Sequence, residues 1–306
     1  MPSFSLDMLN RSIFKFIYKL SFPKTHKHNR RFWPYYRVER NSEHHIQRVI
    51  FKKQIVAQNT VTRSKNRKLM LIATGPSLTQ LPKQDLTQSD IDYIGVNGAI
   101  SCQEIHFKYY VIIDHNFVME KFDLVKAVLN TPCTLFTTPR CLDLILRKMN
   151  FSQIKSDIKV LEVITRNEIE VFLNAKKTIS FDDPNYYIHE GYGFSKNIFH
   201  SVFDYFTVAY VALQIGVFLK YPTIFLAGLD MNNFSQPRFY ETKENQQPTL
   251  LDLHQSTVLN AFALASEYMT QNHIKVINLS PSSAIENFTK YACLADYDKS
   301  KSDPLK

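Results

Sequence analysis

Lys68-Leu-Met-Leu-Ile-Ala-Thr-Gly-Pro-Ser-Leu78 is the stretch that decides the architecture. Five apolar residues in a row, Leu69 to Ala73, read as a buried strand, and Thr74-Gly75-Pro76-Ser77 breaks it in a tight turn. The next extended run, Asp92-Tyr-Ile-Gly-Val96, closes on Asn97-Gly98. A strand, a small-residue turn and a helix are how a parallel α/β sheet begins a nucleotide site. Gly75 is expected to let backbone approach a phosphate, and Ser77 to cap a helix whose N–H groups face an anion.

Outward from this unit the chain alternates. Strands are expected at 68–73, 92–96, 109–113, 134–137, 159–163, 223–227 and 275–279. Helices are expected at 43–53, 116–129, 141–148, 166–174, 205–219 and 250–271. Strands separated by helices predict an α/β fold of Rossmann-like type, a parallel sheet with helices on both faces. Residues 178–203 and 232–248 read as irregular. The longest dense apolar stretch, 208–219, is shorter than the roughly 20 residues that cross a bilayer. Four cysteines (Cys102, Cys133, Cys141, Cys293) without a CxxC pair read as reduced thiols of a cytoplasmic protein.

Charge is unevenly spread. Residues 1–68 hold 16 of the 37 Lys/Arg and 3 of the 28 Asp/Glu, whereas the remainder is slightly acidic. Leu6, Leu9, Ile13, Ile17 and Leu20 recur at helical spacing with Phe16 beside them, and Arg11, Lys15 and Lys19 fall four apart on the other side. This is a basic amphipathic helix suited to an anionic membrane surface. No helix-turn-helix, zinc or RNA-recognition pattern accompanies the charge, so no nucleic-acid partner is expected. The division expected is 1–66 as a basic membrane-proximal segment, 67–295 as the catalytic domain and 296–306 as a polar tail.

In open α/β sheets the ligand lies beyond the carboxyl ends of the strands. Thr74-Gly75-Pro76-Ser77, Asn97-Gly98, Asp114-His115-Asn116, Gly228-Leu229-Asp230 and Ser280-Pro281 end five expected strands there. Small and hydrogen-bonding residues at that rim suit a base and ribose, with backbone N–H groups at helix starts for phosphate. GxxxxGK[ST], GxSxG and HExxH are absent, and Asp296-Tyr-Asp298 lies in the polar tail.

ATGPSL, YIGVNGA, YYVIIDHN and VALQIGVFLKYPTIFLAGLD resemble the pattern of bacterial glycosyltransferase family 42, known for CMP-sugar sialyltransferases. A closer resemblance, over roughly residues 70–291, is to the lipopolysaccharide core biosynthesis proteins of the Z type, which attach an additional Kdo (3-deoxy-octulosonate). It rests on GFSKNI at 193–198, ALQIGVFLKYPTIFLAGLD at 212–230, PRFYETKENQQP at 237–248 and VINLSP at 276–281. The resemblance implies a glycosyltransferase that moves a 2-keto acid sugar from its CMP ester, CMP-Kdo, to a lipid A–core glycolipid at the cytoplasmic face of the inner membrane. It further implies that no metal or cofactor is needed.

Carried over by position, the resemblance places Thr74, Asn97 and Asp114 on the cytidine nucleotide. It also puts a hydroxyl at Thr207 and the base at His254. Asp252, two residues away, is the alternative base. The sialyltransferase tyrosines that hold phosphate fall at Asn232 and Arg238, with Tyr240 a possible substitute and Arg238 able to neutralise phosphate bidentately. Lys196 is a candidate for the donor carboxylate or an acceptor phosphate. Two other readings compete: a sialyltransferase on lipooligosaccharide, and a non-catalytic nucleotide- or glycan-binding membrane-associated protein.

Overall fold

The computed structural model describes residues 3–62, 65–232, 234–247, 249 and 251–302, with backbone alone for 3–10 and 301–302. Helix α1 (Ser3–Ser21) leads into an antiparallel meander of β1 (Tyr36–Arg40), β2 (Ile46–Phe51) and β3 (Gln54–Gln58). The expected helix at 43–53 is therefore strand β2. Lys52 and Lys53 both take positive φ between the paired Phe51 and Gln54, a two-residue hairpin turn built without the usual glycine.

Strands β4 (Lys68–Ile72), β5 (Ile91–Val96) and β6 (Phe107–Ile112) follow, then α2 (His115–Glu120) and α3 (Phe122–Leu129), which break one expected helix at Lys121. Next come β7 (Thr134–Thr137), α4 (Pro139–Lys148) and β8 (Asp157–Val160). Short strands β9 (Val163–Thr165), β10 (Glu168–Ile169) and β11 (Lys177–Thr178) replace the expected helix at 166–174. Arg166 and Asn167, again with positive φ, turn β9 into β10. The stretch read as irregular contains the hairpin β12 (Tyr186–His189) and β13 (Tyr192–Ser195), followed by β14 (Val202–Phe203).

The chain ends with α5 (Val208–Phe218), β15 (Thr223–Ala227), α6 (Gln255–Gln271), β16 (Lys275–Asn278), β17 (Thr289–Lys290) and α7 (Leu294–Ser302). Helix α6 begins five residues later than expected, and Leu250, the expected start, lies outside the described residues. Residues 296–302, read as part of a tail, belong to α7, whose Tyr297 is buried edge-on against Phe225.

Eight parallel strands form the main sheet, in the order β17-β16-β15-β4-β5-β6-β7-β8. Leu69 and Leu71 of β4 enter one apolar core, Met70 and Ile72 the other, so a strand covered on both faces reads as an unbroken apolar run. Helix α5 is buried nearly all round. Its one buried polar side chain, Gln214, accepts from the Ser195 and Phe203 amides and donates to the Phe203 carbonyl.

Residue 66 is not a packing boundary. Phe32, Tyr36, Ile46, Val49 and Val56 share the second core with Met70 and Ile72. Arg40 also grips buried Glu162 with two N–H groups, 2.6 and 3.2 Å. The meander is thus part of the body, and the sequence boundary reflected charge alone. Among the described residues no helix is long and apolar enough to cross a membrane.

From β4 to β8 the sheet grows in one direction. The chain then returns through α5 and adds β15 on the other side of β4. That reversal opens a crevice at the carboxyl ends of β4 and β15, the place where sheets of this kind bind ligands.

Candidate active site

A cavity of about 610 Å³ occupies this switch point. Thr74, Gly75 and Pro76 after β4, Asn97 after β5, Asp114 and His115 after β6, and Gly228 and Asp230 after β15 line it. Thr207 lines it from the head of α5, and Arg238 from the loop after β15. Residues separated by up to 164 positions thus reach one cavity because every parallel strand delivers its carboxyl end to the same edge.

The floor is a hydrogen-bonded network. The Gly75 amide donates to the Gly228 carbonyl (2.8 Å) and the Ser77 amide to Asp230 Oδ2 (2.9 Å), while the Ser77 hydroxyl reaches Asp230 Oδ1 and Ser280 Oγ. Ser280 Oγ in turn accepts from the Leu229 amide at 3.2 Å. Ser77, Asp230 and Ser280 are all buried. This corrects two expectations. The turn after β4 continues as a single short 3₁₀ stretch, Pro76–Gln80, uncapped by any side chain, so Ser77 presents no helix N-terminus to an anion. The close approach that Gly75 permits is to β15: a Cβ there would sit 2.6 Å from the Gly228 carbonyl oxygen and against Asp230. Ser77 and Ser280 stand behind the cavity wall, clamping β4, β15 and β16 together.

Above this floor the polar groups are held but not used up. Asn97 has a φ of +46°, and its Oδ1 is buried with no partner among the described residues. An orphaned acceptor in a cavity wall is costly unless a ligand donates to it. Asp114 caps α2 through Oδ1, which accepts from the Asn116 amide (2.8 Å). Arg238 Nη1 donates to Glu241 Oε1 at 2.8 Å, and the buried Glu241 also accepts from the Arg238 amide at 3.1 Å. The guanidinium is thereby fixed at the cavity edge. Tyr240 takes a different place from the one expected. Its ring lies across Gly98, where any Cβ would collide with it, and its hydroxyl is pushed up to about 12, chiefly by burial. Gly98 and Tyr240 thus pack on each other beneath Arg238, outside the cavity lining.

The base candidates lie outside the lining, beside Leu251, which belongs to it. His254 stacks face to face on Phe206, ring centroids 3.6 Å apart, and precedes the first residue of α6. Phe206 lines the cavity, while His254 is one ring behind it and Asp252 is exposed on the turn before. Lys196 is not in the lining; it follows β13, its amide bonded to the Asn185 carbonyl.

Sequence reading missed Asp204 and Phe206, and gave no role to His115, which it had placed at the rim. Asp204 lines the cavity, and its carboxyl is pushed up to about 6 by burial and by the charge of Asp114, against the amides of Phe206 and Thr207. The one available signal was an acid four residues before a long, mostly apolar helix. His115 lines the cavity with its imidazole depressed by burial and by Arg140. Phe206 is half exposed with a φ of +62°, a costly conformation for an aromatic residue and one typical of functional sites.

Residues 49–291 match the family described as 3-deoxy-D-manno-octulosonic acid transferase WaaZ. The match begins in β2, about twenty residues earlier than the resemblance in sequence. A Salmonella typhimurium protein named "Probable 3-deoxy-manno-octulosonic acid transferase" is 32% identical over 93 residues, 30% of this chain and 34% of that relative, so the chain matches about a third of its length. Among solved structures, the MAf glycosyltransferase of Magnetospirillum magneticum has a TM-score of 0.44 at 14% identity, over 76% of this chain and 35% of that one. The Campylobacter jejuni sialyltransferase CstII, solved with CMP-3FNeuAc, has a TM-score of 0.39 at 15% identity, over 74% and 86%.

Proposed function

Because the chain belongs to the WaaZ family of 3-deoxy-D-manno-octulosonic acid transferases, we propose that it moves Kdo from CMP-Kdo to an inner-core glycolipid. The observation that carries this reading is the buried Asn97 acceptor, without a partner among the described residues, in a cavity at the sheet's switch point. An amino group of the cytosine ring is a donor of the right kind. Thr74 and Asp114 flank the nucleotide in this reading, and Thr207 offers its hydroxyl at the head of α5.

In the proposed reaction an acceptor hydroxyl oxygen bonds to the anomeric carbon of Kdo as the bond from that carbon to phosphate oxygen breaks. CMP departs with the electron pair. Arg238, held by Glu241, offsets the charge growing on the phosphate, so no metal is assigned that task. The hydroxyl proton passes to His254, which is stacked on the cavity-lining Phe206, with Asp252 as the alternative acceptor.

Helix α1 supports association with an anionic bilayer surface at the cytoplasmic face. Ile13, Phe16, Ile17 and Leu20 are exposed on one side, while Phe14 and Tyr18 on the other pack against Trp33. Leu6 and Leu9 of the expected stripe lie where only backbone is described. The deciding experiment measures CMP release from CMP-Kdo and from CMP-sialic acid by the full chain. Release from the first is expected; release from the second alone rejects the Kdo assignment in favour of a sialyltransferase.

A further inference from the structure

Between α1 and the cavity lies an excess of cationic side chains that the donor chemistry does not use. Its buried counter-charge is Asp143 of α4, 2% exposed, which is already shared by Tyr36 (3.4 Å), Arg11 (3.6 Å) and Arg147, while Glu170 adds a weaker, more distant one near Arg31. Arg11 is further fixed with its guanidinium 4.9 Å from the Tyr35 ring centre. Lys15, Arg30, Arg31 and Arg140 have no carboxylate within ion-pair distance among the described residues. They are nonetheless close enough to repel one another. Lys15 is depressed by burial and then by Arg147, Arg30, Arg31 and Arg11, and Arg31 by burial and then by Arg140, against the opposing charges of Asp143 and Glu170.

The cluster has a direction. Lys15 lies on α1 next to exposed Phe16, Arg30 and Arg31 end the 3₁₀ segment Lys24–Arg31, and Arg140 is the second residue of α4, beyond the carboxyl end of β7. Next toward the sheet centre is His115, which lines the cavity and feels both Arg140 and Arg31. An apolar helix face, a run of unpaired cations and a sugar-sized cavity therefore follow one another. An anionic glycolipid has the same order of parts: acyl chains, phosphates, sugars. Guanidinium groups suit phosphate because they pair with it bidentately.

We propose that Arg31 and Arg140, with Lys15 and Arg30 on the bilayer side, bind phosphate groups of the glycolipid acceptor and so bring its sugar to the cavity entrance. The proposal rests on the acceptor assignment made above. It is tested with full-length Arg140→Gln, which alters an exposed side chain, and with Arg31→Gln/Arg140→Gln, against the glycolipid before and after phosphatase treatment. The double variant is expected to raise KM for the phosphorylated acceptor about tenfold or more, with kcat within about twofold. It should change nothing for the dephosphorylated acceptor, on which the unmodified protein already shows the higher KM. CMP release without acceptor stays at its original rate. Equal losses on both acceptors, or no change on either, overturn the proposal.

Vesicles of phosphatidylglycerol separate the acceptor from bulk membrane charge. Binding within about twofold of the unmodified protein supports acceptor phosphate as the ligand; a loss as large as that for the acceptor overturns it. Binding of the phosphorylated glycolipid measured without donor decides the same question even where transfer is not seen. Weakening by the substitutions upholds the site, and unchanged binding removes it. Absence of CMP release by the unmodified protein counts against the transferase reading only.

Discussion

Replacing Asp204 with Asn is expected to stabilise this protein at neutral pH and to do little in acid. Burial at the cavity wall, helped by the charge of Asp114, moves the Asp204 carboxyl from its ordinary 3.8 to about 6. Ionisation is therefore harder in the folded protein than in the unfolded chain. Between those two values the folded state binds more protons, so stability falls as pH rises through the window, and the loss is complete above pH 6. At about 1.4 kcal/mol per pH unit the span amounts to roughly 3 kcal/mol, which contact with cavity water reduces to about 2 kcal/mol. Asn is nearly isosteric and keeps an acceptor for the Phe206 and Thr207 amides, so removal of the charge is the main change. Urea unfolding of both proteins at pH 4 and pH 7.5 measures the effect. The variant should gain about 2 kcal/mol at pH 7.5 and a few tenths at pH 4. A gain of the same size at both values, or none at pH 7.5, refutes the argument that burial of this carboxyl opposes its ionisation.

Arg238→Ala removes the partner of a carboxylate whose side chain is 1% exposed. It should cost about 3 kcal/mol in urea unfolding as well as at least tenfold in CMP affinity, and unchanged stability would show that Glu241 does not depend on it. Gly98→Ala pushes a methyl group into the Tyr240 ring and should destabilise by about 1–3 kcal/mol. Tyr240→Leu in the same chain should restore most of that, and failure to do so would place the strain elsewhere. His254→Ala should slow transfer about a hundredfold while CMP binding measured by calorimetry stays nearly intact; undiminished transfer would move the base to Asp252.

The parallel sheet was legible because strands such as β4 and β15 are buried on both faces, which compels unbroken apolar runs that punctuation by Gly, Pro, Asn and Asp then delimits. The same punctuation located the rim, and Thr74, Asn97, Asp114, Thr207 and Arg238 do line one cavity. Two short hairpins escaped notice because Lys52-Lys53 and Arg166-Asn167 turn through positive φ without glycine, a conformation imposed by the paired strands and not by local preference.

What tertiary structure alone decided is the direction in which each rim side chain faces. Ser77, Asp230 and Ser280 have the chemistry of ligand contacts, yet they meet across β4, β15 and β16 and satisfy one another, leaving Asn97 with the unpaired acceptor. Asp204 belongs to the cavity only because the return crossing through α5 brings it there. Residue type and strand-end position are local properties that a one-dimensional pattern retains. Which polar groups pair with each other depends on distances between segments remote in the chain, and those distances exist only once the sheet has closed.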